Sequence, residues 1–195
     1  MLKEKLKGYN IILASGSPRR QQFFKELDLD FDIRLKDVAE IYDENLKAEA
    51  ITNYLAELKA SAFTDELTDK DILVTSDTIV WHEGKALGKP KDYDDAFQMI
   101  ASLSGKTHEV ITSVCICTPT KKDTFFEVTK VTFNSLTEEE IRYYLDNYQP
   151  FDKAGSYGIQ EWIGLVAIAR IDGSYANVVG LPVDKVYQHL LTFVV

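Results

Sequence analysis

Four consecutive apolar residues, Ile11-Ile12-Leu13-Ala14, are followed by the small polar turn Ser15-Gly16-Ser17 and then by Pro18-Arg19-Arg20. The run predicts a short buried strand. Pro18 predicts the first position of a helix, where its missing N–H has no intrahelical partner to lose, and Ser17 is then the natural N-cap. Phe23, Phe24 and Leu27 form the core side of that helix, and Phe31 to Leu35 alternates apolar and polar residues as a strand does. Lys36 to Leu46 is an acidic loop. Ile51, Leu55, Leu58 and Ala62 recur at helical spacing and predict a helix from about Ala48 to Phe63, with Lys59 beside the stripe. Ile72 to Ser76 predicts a strong strand, with polar Ser76-Asp77-Thr78 set into an apolar run that resumes at Ile79-Val80-Trp81. His82 to Lys85 is a hairpin turn, and Leu87-Gly88-Lys89-Pro90 a tight turn. A helix follows from Asp92 to Leu103, burying Ala96, Phe97, Ile100 and Leu103. Glu109–Thr118 and Asp123–Phe133 pair as a β-hairpin dense in Val, Ile and Thr. Thr137 caps a helix with Ile141, Tyr144 and Leu145 on its core side, ended by Gln149-Pro150. Phe151 to Gln160 is a loop, and Leu165 to Ile171 fits either a strand or a short helix. Asp172 to Tyr175 turns toward Asn177, and a last helix spans about Val183 to Phe193. The order is that of an α/β protein with a mixed sheet flanked by helices, a single domain over residues 1–195.

Composition narrows the class. A chain of 195 residues suits one large domain or two small lobes sharing a core. It is 45% hydrophobic and 27% charged, enough for a substantial core. With 22 Lys+Arg against 31 Asp+Glu, it lacks the basic surface on which nonspecific binding to nucleic acid polymers depends. Cationic groups must then act locally, on something small. Cys115 and Cys117 point the same way on the hairpin's first strand, where a bridge between them would be strained. They read as buried reduced thiols of a reducing compartment, and a Cys-x-Cys metal half-site would lack its other half. Met1 to Asn10 is lysine-rich and polar, unlike a signal peptide, and no apolar run approaches the roughly 20 residues that span a bilayer. The expectation is a cytoplasmic protein with no membrane partner.

The opening turn carries the first chemical suggestion. Basic side chains at the positive end of a helix dipole are ordinarily unfavourable. Two arginines there make sense if an anion completes the arrangement with the free N–H groups and the hydroxyls; otherwise they are solvated charges on a capped helix. Cations recur on turns and helix edges at Arg19, Arg20, Lys59, Lys89 and Lys153, and carboxylates stand in the acidic loop and within the strong strand at Glu40 and Asp77. Each lysine alone reads as a surface charge. Together, several cations and one or two hard oxygen ligands suit a polyphosphate with a magnesium-like ion. No Walker-type Gly-x-x-x-x-Gly-Lys-Ser/Thr occurs, nor a His-Glu-x-x-His. His82, His108 and His189 have no metal-ligand spacing. The Ser-Gly-Ser-Pro turn is not a nucleophile elbow.

These residues fall in blocks that resemble the Maf family of nucleoside triphosphate pyrophosphatases. The blocks are Ser15-Gly16-Ser17-Pro18-Arg19-Arg20, Leu58-Lys59-Ala60, Ser76-Asp77-Thr78-Ile79-Val80, Leu87-Gly88-Lys89-Pro90, Leu103 to His108, Asp152 to Gln160 and Val178 to Pro182. They follow the family order from about Ile11 to Leu191. The resemblance implies a two-lobed fold of the Maf and ITPase kind, with the active-site cleft between lobes, and commonly a homodimer. It also implies hydrolysis of a nucleoside triphosphate to the monophosphate and pyrophosphate with a divalent metal cation, Mg2+ or Mn2+. By the same resemblance Asp77 is the catalytic base and a metal ligand, and Glu40 a second acidic residue at the metal. Ser15, Arg19, Arg20, Lys59, Lys89 and Lys153 handle the substrate's phosphates.

Arg19, Thr78 and Gln160 resemble the members acting on dTTP and UTP, and a Gln amide can match both N3–H and the C4 carbonyl of uracil or thymine. The alternatives are a pyrophosphatase for modified or other nucleotides, such as 7-methyl-GTP or CTP, and a nucleotide-binding regulator of cell division. Many relatives carry Gly directly after the Gln, whereas here Glu161-Trp162 follows. Arg20 occupies a position common to the family and Arg19 one where subfamilies differ. Steady-state kinetics on a nucleotide panel should therefore separate them: Arg20→Ala lowers turnover of every triphosphate, and Arg19→Ala shifts the preference among bases.

Overall fold

A computed structural model describes residues 1–194. The chain opens with α1 (Leu2–Lys5), β1 (Asn10–Leu13), α2 (Pro18–Glu26) and β2 (Phe31–Ile33). Next come α3 (Glu49–Ser61), the long β3 (Asp71–His82), the short β4 (Lys85–Leu87) and α4 (Tyr93–Leu103). The hairpin strands are β5 (Thr107–Cys117) and β6 (Lys122–Phe133), followed by α5 (Glu138–Tyr148) and α6 (Trp162–Val166). The chain closes with β7 (Ile168–Asp172), α7 (Tyr175–Val179) and α8 (Val183–Leu191). The strands are hydrogen-bonded in the order β2-β1-β3-β5-β6-β7, with β4 on β3. β1 is parallel to β2 and β3, whereas β4 and β7 are antiparallel to their neighbours, so the sheet is mixed, as the sequence predicts. Among the described residues no helix is long and apolar enough to cross a membrane.

The chain divides into two compact units. One contains residues 1–77, 112–127 and 180–195, the other residues 78–111 and 128–179. In the first unit, strict alternation along three strands feeds two apolar layers. Ile11 and Leu13 of β1, Ile72 and Val74 of β3, and Val114 and Ile116 of β5 pack with Leu2, Leu6, Phe24, Val186 and Leu190. Ile12, Leu73, Cys115 and Cys117 point the other way, onto Ala56, Ala60 and Phe63 of the α3 segment. Both cysteines are buried and free. The buried stripe of α3 is Ile51, Thr52, Leu55, Ala56 and Ala60, rotated from the predicted one, which used the half-buried Leu58 and Ala62. Alanine at positions 56 and 60 lets the helix approach closely enough for the Thr75 hydroxyl to donate to the Ala56 carbonyl at 2.7 Å. α1 is a further departure from expectation: Leu2 and Leu6, four residues apart, are buried beneath a lysine-rich exterior.

In the second unit, β3 turns into β4 through Glu83 and Gly84, with φ of 48° and 77°. That pair of left-handed residues matches the twist of the hairpin's strands. Val80, Ala96, Ile100, Leu103, Val131, Phe133, Ile141, Tyr144 and Leu145 form the core with Tyr157, Ile159 and Ile163. The undecided stretch near Leu165 proves to be both elements, α6 and then β7, joined at Ala167. Where the sequence reads as a turn from Asp172 to Tyr175 toward Asn177, the chain forms the short α7. The buried Asn177 amide fastens it, donating to the Val110 carbonyl at 3.0 Å and to Thr129 Oγ1 at 2.9 Å.

The predicted cap of α5 is a full capping box: Thr137 Oγ1 accepts from the Glu140 N–H, and Glu140 Oε2 accepts from the Thr137 N–H. Thr137→Ala removes the first of these bonds and should cost about 1 kcal/mol. In thermal unfolding that loss would appear as a fall of roughly 2–4 °C in Tm.

Candidate active site

Alternation along β3 decides which way its polar residues face. Leu73, Thr75 and Asp77 share a side, and α3 lies against that side. Asp77 is buried within the strand, and Lys59 of α3 reaches it: Lys59 Nζ donates to Asp77 Oδ1 at 2.7 Å. The same ammonium lies 3.0 Å from Glu40 Oε1 in the acidic loop. Lys59 therefore does not snorkel to water; it bridges two carboxylates. Burial pushes the Asp77 carboxyl above its usual range and Glu40 adds to the rise, while Lys59 and Arg20 oppose it.

The Ser15–Arg20 turn stands next to this group. Ser17 is the N-cap residue of α2, but its side chain makes no capping bond. Its N–H instead donates to Ser15 Oγ at 3.3 Å, so the first turn of α2 lacks the side-chain oxygen that ordinarily satisfies its amides. Arg20 braces the turn from within. Its Nε donates to the Gly180 carbonyl at 2.8 Å, and its Nη1 to the Ser76 carbonyl at 3.2 Å and to Ser15 Oγ at 3.4 Å. Burial draws its pKa down from the ordinary value while nearby Asp77 pulls it back up; a guanidinium so placed stays charged. Arg19, one position earlier on α2, is half-buried. In this unit the structure thus gathers Ser15, Arg20, Lys59, Glu40 and Asp77, through backbone partners of Arg20 that no sequence pattern discloses.

Asp77 is the last residue of the first unit and Thr78 the first of the second. In the second unit Lys89 and Gln160 are exposed and Lys153 is buried. The turn before Lys89 and the loop after Lys153 are joined: the Gly155 N–H donates to the Gly88 carbonyl at 3.0 Å. Gly155 adopts a φ of 66°, and a Cβ there would come within 2.7 Å of Val80 Cγ2, so only glycine allows this approach. Lys153 Nζ lies 2.7 Å from Asp152 Oδ1 and 3.1 Å from Glu161 Oε1. Glu161 Oε2 in turn accepts a hydrogen bond from the Tyr144 hydroxyl. The sequence marks Tyr144 only as a core residue and Glu161 only as a departure from the family pattern. The available sign was a tyrosine on a core face, whose hydroxyl needs a polar partner when buried.

The histidines have partners of their own. His108 is buried, with Nε2 2.8 Å from the Tyr157 hydroxyl. Burial, aided by nearby His82, pushes its pKa down to about 3, so the ring is neutral. His189 pairs with Asp123 at 2.6 Å.

Known proteins resemble this chain over nearly its whole length. A family model described as Maf-like protein matches residues 10–193. A dTTP/UTP pyrophosphatase of Flavobacterium johnsoniae is 67% identical over 194 residues, covering 100% of both chains. Proteins of the same name from Flavobacterium psychrophilum and Christiangramia forsetii are 62% and 55% identical, covering 98% and 97% of both chains respectively. With nearly its whole length matched both by the family model and by these relatives, the chain belongs to the Maf family.

Proposed function

We propose that this protein hydrolyses dTTP and UTP to the nucleoside monophosphate and pyrophosphate, with Asp77 as the base. The observation that carries the reading is the placement of Asp77, a carboxylate buried in a strand, raised in basicity by burial, yet kept beside the Lys59 and Arg20 charges. A buried carboxylate costs stability, and an attacking water gives it a use. The substrates follow the names of the relatives that match along nearly the whole chain, and a Gln at position 160 suits a uracil or thymine edge.

In the reaction Asp77 accepts a proton from the water that attacks the α-phosphorus, and pyrophosphate departs. Lys59 and Arg20 offset the negative charge that develops on the phosphate oxygens. Ser15 and the uncapped amides of α2 supply donors of the kind that hold phosphates at helix N-termini. Lys89 and Lys153 handle the remaining phosphates, and Arg19, Thr78 and Gln160 select the base.

A divalent cation suits the donor set. Asp77 Oδ1 and Glu40 Oε1 converge on one point, now taken by the Lys59 ammonium, and both are the hard oxygen ligands that Mg2+ or Mn2+ prefers. Among the described residues no third His, Cys, Asp or Glu joins them, which leaves the other positions to water and phosphate oxygens, the usual habit of Mg2+. When bound, the ion would withdraw charge from those oxygens. We further propose, from the family resemblance, that the protein works as a homodimer; two buried, free cysteines support a cytoplasmic setting.

Incubation with Mg2+ and a nucleotide panel, with products separated by chromatography, should yield pyrophosphate and monophosphate from dTTP and UTP; release of orthophosphate would overturn the reading. Asp77→Asn should lower kcat by about 100-fold or more while dTTP binding persists. Lys59→Met removes the charge that favours ionised Asp77, so the carboxyl pKa rises further. Because the base must be deprotonated, the acidic limb of the kcat/KM profile should then move to higher pH, by about one unit.

A further inference from the structure

Glu161 has two close contacts, one to Lys153 of the candidate site and one to Tyr144 of the core. Its Oε1 lies 3.1 Å from Lys153 Nζ. Its Oε2 takes the Tyr144 hydroxyl proton in a hydrogen bond. The same Tyr144 oxygen accepts the Gly158 N–H at 3.0 Å. Tyr144 is fully buried on α5, a helix fixed by its capping box, so the chain of contacts is anchored in the core. Burial first, and the bond to Glu161 second, hold the phenol well above its ordinary pKa; it remains a donor to the carboxylate.

The geometry over Gly158 brings in Gln160. A Cβ added at Gly158 would meet Gln160 Nε2 at 2.7 Å, Glu161 Cδ at 2.9 Å and Glu161 Oε2 at 3.0 Å. The Gln160 amide and the Glu161 carboxylate therefore flank one backbone position. Lys153 is itself buried, and an ammonium taken out of water must be paired. Its other partner, Asp152, has a side chain 59% exposed, against 19% for Glu161. The better-shielded carboxylate gives the firmer hold, since exposed pairs contribute little.

Resting on the reading of Lys153 and Gln160 as substrate-binding residues, we propose that Glu161 is a positioning residue. It holds the Lys153 ammonium for a phosphate and, through Tyr144 and Gly158, holds the loop that presents Gln160. It touches no reacting atom; it acts through Lys153. Its loss should therefore weaken binding of a phosphate group more than it slows the chemical step.

The test is a double-mutant cycle with Glu161→Gln and Lys153→Met in the full-length protein. The Gln side chain keeps an acceptor for Tyr144 and removes the charge facing Lys153. Calorimetry reports the affinity for inorganic pyrophosphate, kinetics report KM and kcat for dTTP, and thermal unfolding reports the fold. Loss of one charge-assisted contact should weaken pyrophosphate binding, and raise KM, about tenfold with kcat within about twofold. In the double variant Glu161→Gln should add nothing to Lys153→Met, because its effect passes through that lysine. Multiplying effects, an unchanged affinity in Glu161→Gln, or no pyrophosphate binding by the unmodified protein would overturn the proposal. The two readings fail separately. Coupled binding without dTTP turnover keeps the positioning role and removes the proposed reaction; turnover with uncoupled variants does the reverse.

Discussion

A carboxylate buried in the middle of a strand needs a cation, and here Lys59 supplies it. The pairing of Lys59 with Asp77 sets conditions on much of the first unit. α3 must lie close to β3, which the small side chains at Ala56 and Ala60 permit and the bond from Thr75 to the Ala56 carbonyl secures. The acidic loop must return far enough for Glu40 to share the same ammonium. Arg20 must brace the turn at Ser15 and the strand at Ser76 together. Stripping one partner from a buried ion pair costs about 3–5 kcal/mol. The arrangement thus tolerates a costly group only because its neighbours are in place, which is typical of sites where chemistry, not packing, selects the residue.

Much of the architecture was legible because it is written locally. Apolar runs announce β1 and β3, a density of Val, Ile and Thr announces the β5–β6 hairpin, and the cap at Thr137 announces α5. What escaped was set by context. Leu2 and Leu6 offer only two apolar positions among lysines, too few to declare α1. The stripe of α3 departs from hydrophobicity alone, which ranks Leu58 above Ala56 and Ala60, because these alanines bury well through small size. The apolar run after Leu165 held a helix and a strand, separated at Ala167 by no distinctive residue.

The candidate site divides along the same line. Side-chain types and their family blocks marked Asp77, Lys59, Glu40 and Ser15, and the structure brings these together with Arg20. The acceptors of Arg20 are the carbonyls of Ser76 and Gly180, groups that every residue possesses and no composition singles out. Likewise the link from Lys153 through Glu161 to Tyr144 ties α5 to the loop that follows it. Each member has an ordinary reading by itself; only the fold makes them one unit.

The route of the backbone has a consequence for biosynthesis. The unit that owns Asp77 draws on residues 1–77, 112–127 and 180–195, and its apolar layer contains Leu2 and Leu6 from one terminus beside Val186 and Leu190 from the other. During translation β1 and β3 emerge early, yet α8, the last helix to cover them, begins about a hundred residues after β3 ends. Until then β1 and β3 carry uncovered apolar faces, a state prone to aggregation. A fragment ending before α8 would leave the faces of Ile11, Leu13, Ile72 and Val74 without Val186 and Leu190.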